Sequence, residues 1–155
     1  MNPMTPAGRA RYERVEATGA TLSPMSSSRI PVLAVVAAGG ALGSLARWGL
    51  AAVLPHSGPG WPWSTLIVNL TGSLLLGVLI VVVDRRPAHR LLYPFLGVGV
   101  LGGWTTFSTM MTDVAGLVAA QAVARAGAYL LVSLVGGLLA TGFGIVLTRR
   151  LLGPR

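Results

Sequence analysis

The residues with the most evident chemistry interrupt a hydrophobic segment, where glycines alternate with hydroxyl side chains between Gly97 and Met110. Lipid offers backbone groups no hydrogen bonds, so a Gly- and Thr-rich interruption at membrane depth is tolerated only where protein or a polar cavity surrounds it. Interruptions of this kind mark ion or substrate sites in membrane transport proteins. The pattern therefore predicts a polar site near the middle of this segment.

Two other hydrophobic segments carry polar stripes at a spacing of four, which places each stripe on one helix face. The stripes are Thr65, Asn69 and Ser73, and Tyr129, Ser133, Gly137 and Thr141. An isolated Ser or Thr in such a stripe is most simply explained by a hydrogen bond between helices. The amide of Asn69 differs because it needs several partners and is costly to leave unpaired in an apolar medium. Its two N–H donors predict a donor-rich track for a small anion, with hydroxyls from Ser108, Thr109, Tyr129 and Ser133. Phe107 fits this track because aromatic ring edges carry partial positive charge, with plain packing as the alternative.

Ionisable residues within the hydrophobic segments are few. Arg47 lies seven residues before Leu54, so its side chain can anchor near the interface or cap carbonyls of a neighbouring helix. We expect it to serve in anchoring or in vestibule electrostatics, with direct anion contact as the alternative. Asp113 either faces a vestibule or lies near the end of its helix. His56 and His89 lie in loops, too far apart in sequence to predict a metal site. No histidine or paired carboxylate lies within a span, so we expect no enzyme.

The composition indicates a membrane protein, because 53% of the residues are hydrophobic, only 10% are charged, and the mean hydropathy is +0.71. Soluble domains carry about 25% charged residues. The net charge of +8 comes from arginine alone, with no lysine. Nucleic-acid binding is not expected, since no basic helix and no basic patch interleaved with aromatic residues is present. The arginines instead predict topology and contact with membrane lipid headgroups.

Four segments are long enough to cross a bilayer as helices, which requires about 20 residues. They span 30–54, 65–83, 91–122 and 125–147. The third is over-long for one crossing, which predicts two half-helices flanking the glycine-rich break. Residues 1–29 are expected to form a flexible cytoplasmic tail, 30–148 a membrane domain and 149–155 a basic C-terminal end. Small residues spaced by four predict close helix packing: Gly39 with Gly43, Gly72 or Ser73 with Gly77, and Gly136 with Ala140.

Three motifs resemble those of the Fluc (CrcB-type) fluoride channels, and the resemblance extends from residue 35 to about residue 148. GGALGSLARW at 39–48 is similar to the family's GGxxGAxxRY pattern, and STLIVNLTGS at 64–73 is similar to GTLxVNxxGS. GGWTTFSTM at 102–110 is similar to GGxTTFSTF. The first motif is only mildly specific, but the three in this order on a four-helix protein are a specific combination.

The resemblance implies a passive, fluoride-selective channel of the plasma membrane, built as an antiparallel dimer with two pores from all-α subunits of four transmembrane helices. By position, Asn69 matches the pore asparagine and Phe107 the first ring of a phenylalanine box. Ser108 and Thr109 match the hydroxyls of the break, and Tyr129 and Ser133 match the polar track of the fourth helix. Gly102 and Thr105 match residues whose backbone carbonyls hold a structural sodium ion (Na⁺) at the dimer axis, as suits a hard cation.

The chain departs from the family pattern at four positions. Met110 stands where the second box phenylalanine is usual, and Asp113 where glutamate is common. Ser64 and Ser44 replace glycine and alanine and are expected to be harmless. Methionine lacks the positive ring edge, so a pore that relies on Met110 is expected to conduct poorly.

The distribution of arginines predicts a fixed orientation. With the N-terminus inside, the arginines near helix ends on that side are Arg14, Arg29, Arg85, Arg86, Arg90, Arg149, Arg150 and Arg155. The opposite side has Arg125, and Arg47 if it reaches outward. A subunit that inserts in both directions should carry a near-neutral bias. We therefore expect both termini in the cytoplasm and pairing with an oppositely oriented homologous subunit, with an antiparallel homodimer as the alternative.

Two other functions are compatible with a small four-helix membrane protein. A proton-coupled exporter of the small-multidrug type would need a membrane-embedded acid in the first helix, where this chain has Arg47 and no acid. A non-conducting membrane scaffold is the second alternative.

Overall fold

The computed structural model describes residues 5, 7, 30–56, 59–85 and 90–153. The chain divides into two units, Met1–Ile30 and Pro31–Arg155. Apart from Ile30, the helices described below belong to the second unit. The predicted tail at 1–29 lies outside the described residues except for positions 5 and 7, as do His89, Arg86 and the last two residues of the chain.

The described part of the chain contains helices and no strands. Helix α1 is Ile30–Val53, α2 is Trp63–Arg85, α3 is the single turn Gly102–Trp104, α4 is Phe107–Ala119 and α5 is Val123–Leu151. A π-helix, Pro94–Leu101, precedes α3. Helices α1, α2 and α5, with 24, 23 and 29 residues, are long and apolar enough to cross a membrane. The prediction of an all-helical membrane protein is therefore confirmed.

The third hydrophobic segment changes conformation between Trp104 and Phe107. Thr105 (φ −77°, ψ 157°) and Thr106 (φ −153°, ψ 119°) have extended backbones, with α3 on one side and α4 on the other. Thr106 is the N-cap of α4, because its Oγ1 accepts a hydrogen bond of 3.1 Å from the backbone N–H of Thr109. We call the two residues Thr105 and Thr106 the break.

Glycines set the closest helix contacts. A Cβ at Gly43 of α1 would collide with the carbonyl oxygen of Val100 in the π-helix, and one at Gly39 with the carbonyl of Phe95. A Cβ at Gly77 of α2 would collide with the carbonyl of Thr141 in α5. The small-residue packing predicted for α1 and α2 is confirmed, because these backbones approach too closely for any side chain.

The buried core lies where α2, α4 and α5 meet. It consists of Leu66, Met110, Leu117, Ala126 and Tyr129. Outside this cluster, much of the apolar surface of α1 and α5 is exposed on the single chain. Such surface is suited to lipid or to a second membrane chain rather than to water.

Candidate functional site

Asn69 holds the break in place from α2. Its Nδ2 donates a hydrogen bond of 3.0 Å to the carbonyl oxygen of Thr106, and its Oδ1 accepts one of 2.8 Å from the Thr106 backbone N–H. The extended backbone leaves the Thr106 N–H without a partner in a continuous helix, and Asn69 supplies one. The side-chain amide therefore takes the place of a neighbouring peptide group, while its second N–H is not used in this pair.

Two further side chains bind the turn before the break. The Nε of Arg47 in α1 donates to the carbonyl oxygen of Gly103 at 3.0 Å. Trp104 Nε1 donates to Thr71 Oγ1 at 2.9 Å, and that hydroxyl in turn donates to the carbonyl of Ile67 at 2.6 Å. This bond is of the kind expected if Arg47 caps the carbonyls of a neighbouring helix.

A groove of about 640 Å³ opens beside the break. Both polar stripes reach it: Asn69 and Ser73 come from α2, and Ser133, Gly137 and Thr141 come from α5. Gly102, both break residues, Phe107 and Met110 complete one side of it, among other apolar residues. The spacing of four thus predicted correctly that members of each stripe share a surface.

The stripe hydroxyls have different roles. Thr141 Oγ1 donates to the carbonyl of Ser73 at 3.0 Å, so this hydroxyl joins α5 to α2. Ser133 is only 5% exposed, and its Oγ has no hydrogen-bond partner among the described residues. A buried, unpaired hydroxyl is costly in an apolar medium. Ser133 therefore lines the groove with a buried hydroxyl that could turn toward a molecule bound there.

The start of α4 presents three hydroxyls and one aromatic ring. Thr106 Oγ1 donates to Thr109 Oγ1 at 3.0 Å and lies 3.3 Å from Ser108 Oγ. Phe107 is 68% exposed and lines the groove, whereas Met110 is buried in the core cluster and reaches the groove from that side. Phe107 is therefore not a packing residue within this chain.

Tyr129 lies at the end of the α5 stripe, in the core. It is fully buried, packs edge-on against Trp61, and donates its hydroxyl to Asp113 Oδ2 at 3.2 Å. The other carboxylate oxygen of Asp113, Oδ1, lies 3.1 Å from His56 Nε2. The acid thus joins the loop after α1 to the polar stripe of α5.

Gly102 and Thr105 are the residues whose carbonyls the sequence resemblance assigns to a sodium ion. Gly102 is exposed, a Cβ there would only just touch the Gly97 carbonyl oxygen at 3.9 Å, and Thr105 has an extended backbone (ψ 157°). Carbonyl oxygens are ligands that hard cations accept. Two carbonyls from one chain are too few for a complete shell, so the residues fit sodium only where a second chain supplies further oxygens.

Four residues at this site were not assigned from the sequence. Thr106 was a recognisable helix N-cap, because a threonine three residues before Thr109 at a helix start is a capping signal. His56 gave no signal, since its partner Asp113 lies 57 positions away. Trp104 and Thr71 were likewise not assigned, because a hydrogen bond between two segments depends on how they pack.

Comparison with known proteins adds an independent finding. A family model described as CrcB-like protein, Camphor Resistance (CrcB), matches residues 34–145. A Thermobifida fusca protein named fluoride-specific ion channel FluC 2 is 50% identical over 123 residues, covering 79% of this chain and 91% of that protein. A Streptomyces coelicolor protein named fluoride-specific ion channel FluC 1 is 42% identical over 126 residues, covering 81% and 82%. A Sphingopyxis alaskensis protein named fluoride-specific ion channel FluC is 44% identical over 121 residues, covering 75% and 94%.

Proposed function

The chain belongs to the CrcB family, and we propose that it forms a fluoride-specific channel that lowers cytoplasmic fluoride by passive export across the plasma membrane. The observation that carries the proposal is the meeting of the Asn69 amide and the unpaired Ser133 hydroxyl at one groove. Relatives that cover most of this chain are named as fluoride-specific channels. Hydrofluoric acid enters cells in its neutral form and dissociates inside, so a passive path for the anion relieves the accumulation.

The groove supplies what a small anion loses when it leaves water. Fluoride is strongly hydrated, and a path through the membrane must replace its water with protein hydrogen-bond donors. The second N–H of Asn69 and the hydroxyl of Ser133 are such donors, and the edge of the Phe107 ring adds partial positive charge. Ser108 and Thr109 extend the hydroxyl set along α4. No acidic side chain lines this groove among the described residues, which favours an anion over a cation.

A complete path requires a second subunit. The groove is open along one side of the chain, and the exposed Phe107 and the apolar surface of α5 border it. We propose that the third crossing consists of two half-helices joined at the break, and that an antiparallel partner covers the groove. The carbonyls of Gly102 and Thr105 from each chain would then hold a structural sodium ion, which supplies positive charge at the junction of the two subunits.

The partner is proposed to be a homologous subunit of opposite orientation. The arginines strongly favour cytoplasmic termini, which does not suit a chain that inserts both ways. The relatives named FluC 1 and FluC 2 are consistent with paired channel chains. In such a pair, the pore that relies on Met110 is free to lose conduction while the other pore works.

Fluoride release from liposomes tests the function. The purified chain is reconstituted alone and together with an oppositely oriented CrcB subunit, and valinomycin starts release from potassium fluoride vesicles. Release from the pair and not from the single chain supports a heterodimer, whereas release from the chain alone supports a homodimer. Retention of fluoride in both preparations contradicts the channel.

The orientation of the chain can be tested by cysteine labelling, because the sequence contains no cysteine of its own. A single cysteine is introduced at either terminus and labelled in intact cells with an impermeant maleimide. We expect neither terminus to be labelled before lysis. Labelling of each terminus in about half of the molecules would show dual insertion and remove the argument for a heterodimer.

A further inference from the structure

The loop after α1 places a histidine beside an acidic side chain that contacts the polar stripe of α5. His56 Nε2 lies 3.1 Å from Asp113 Oδ1, and the two side chains are 30% and 7% exposed. The other carboxylate oxygen of Asp113 accepts the Tyr129 hydroxyl at 3.2 Å. Asp113 is therefore nearly enclosed, while His56 remains in contact with water.

Asp113 lies close to the proposed fluoride path. Tyr129 is one helical turn before Ser133, the buried residue that lines the groove. A carboxylate in this position adds negative charge near the end of an anion track. In a medium of reduced dielectric, such a charge acts on a passing anion over several ångströms.

We propose that protonation of His56 balances the negative charge of Asp113 and so promotes the entry of fluoride into the proposed path as the pH falls. This inference rests on the proposed function of the groove. With His56 neutral, the pair carries a net charge of −1 and repels fluoride. With His56 protonated, the pair is neutral overall and the repulsion is removed.

The groups that face His56 agree with this assignment. Asp113 of α4 is its ionisable contact, and Tyr129 of α5 is joined to it through the same carboxylate. Of the arginines on α1 and α2, Arg47 donates to the carbonyl of Gly103 and Arg85 to the carbonyl of Gly153. His56 thus acts on the anion through Asp113 and need not contact it.

The direction of the effect matches the chemistry of fluoride. The neutral acid that crosses membranes increases tenfold for each unit by which the pH falls, so fluoride loading is greatest in acid. Histidine is the side chain that most readily changes charge near physiological pH. The pair would therefore raise conduction under the conditions in which fluoride enters fastest.

Fluoride release is measured at about pH 5.5 and about pH 7.5, equal on both sides, in whichever preparation conducts. Protein-free liposomes at each pH correct for leakage of the neutral acid. For wild type we expect release at the lower pH to be faster by about threefold or more. His56→Gln keeps a hydrogen-bond donor but does not titrate, so its release is expected to stay at the slow rate at both pH values.

Two variants make the result specific. His89→Gln removes the other histidine of the chain and is expected to keep the wild-type ratio. Asp113→Asn removes the charge and is expected to be fast at both pH values, opposite to His56→Gln. Size-exclusion profiles and thermal midpoints in detergent establish that each variant is folded.

The outcomes separate this inference from the proposed function. Wild type that conducts equally at both pH values, or His56→Gln that keeps the wild-type ratio, overturns the role of His56 and leaves the channel standing. Wild type that releases no fluoride at either pH refutes the channel and this inference with it.

Discussion

Replacing Asn69 by alanine should destabilise the protein through the break rather than through lost packing. The substitution removes hydrogen bonds of 3.0 and 2.8 Å and leaves both the N–H and the carbonyl of Thr106 without their partner. Each unsatisfied backbone group costs about 1–3 kcal/mol when buried. Because Asn69 is only partly buried and borders an open groove, water would recover part of this cost. We expect Asn69→Ala to lower the free energy of unfolding by about 2–4 kcal/mol.

The assay is reversible unfolding in mixed detergent micelles, followed by far-UV circular dichroism. Thr112→Ala is the matched control, because it removes an exposed hydroxyl that bonds only to the carbonyl of Ser108 in its own helix. We expect this control to stay within about 0.5 kcal/mol of wild type. If Asn69→Ala unfolds like the control, the amide does not hold the break, and its assignment as the clamp of Thr106 is wrong.

Three further sets of substitutions test contacts around the same segment. Gly43→Ala should lower stability by about 3 kcal/mol or prevent folding, because its Cβ would meet backbone atoms of the π-helix. Gly49→Ala is the control and should be tolerated, since no atom of another segment lies within 4 Å of its Cβ. Thermal midpoints in detergent compare the two variants. Arg47→Lys loses the Nε–H donor and should lower the free energy of unfolding by about 1–3 kcal/mol, and stability equal to wild type would show that the capping bond contributes nothing. Trp104→Phe and Thr71→Val should each lower the free energy of unfolding by about 1 kcal/mol, and the double variant should lower it little further. Fully additive losses would contradict a hydrogen bond between the two side chains.

The helices and their faces could be predicted because they follow from local physics. Long apolar runs define α1, α2 and α5, and a spacing of four places Asn69 and Ser133 on surfaces that border one groove. The spacing of the glycines in α1 also predicted a close contact with another helix. These features depend on residues near one another in sequence, so no knowledge of the packed chain was needed.

Contacts between distant segments could not be predicted in the same way. The sequence places Phe107 and Met110 three residues apart, but only the rotation of α4 decides that Phe107 is exposed and Met110 is packed in the core. The pairing of His56 with Asp113 depends on where the loop after α1 settles. The amide of Asn69 was expected to face an anion, and the structure shows that it also binds the Thr106 backbone.

The central claim is that the groove beside the break is one wall of a path selective for fluoride. It is tested most directly by comparing the release of fluoride and of chloride from liposomes that carry the chain and its antiparallel partner. We predict that fluoride leaves rapidly, that chloride is retained, and that Ser133→Ala slows fluoride release. Equal release of the two anions, or release unaffected by Ser133→Ala, would contradict the assignment of this groove.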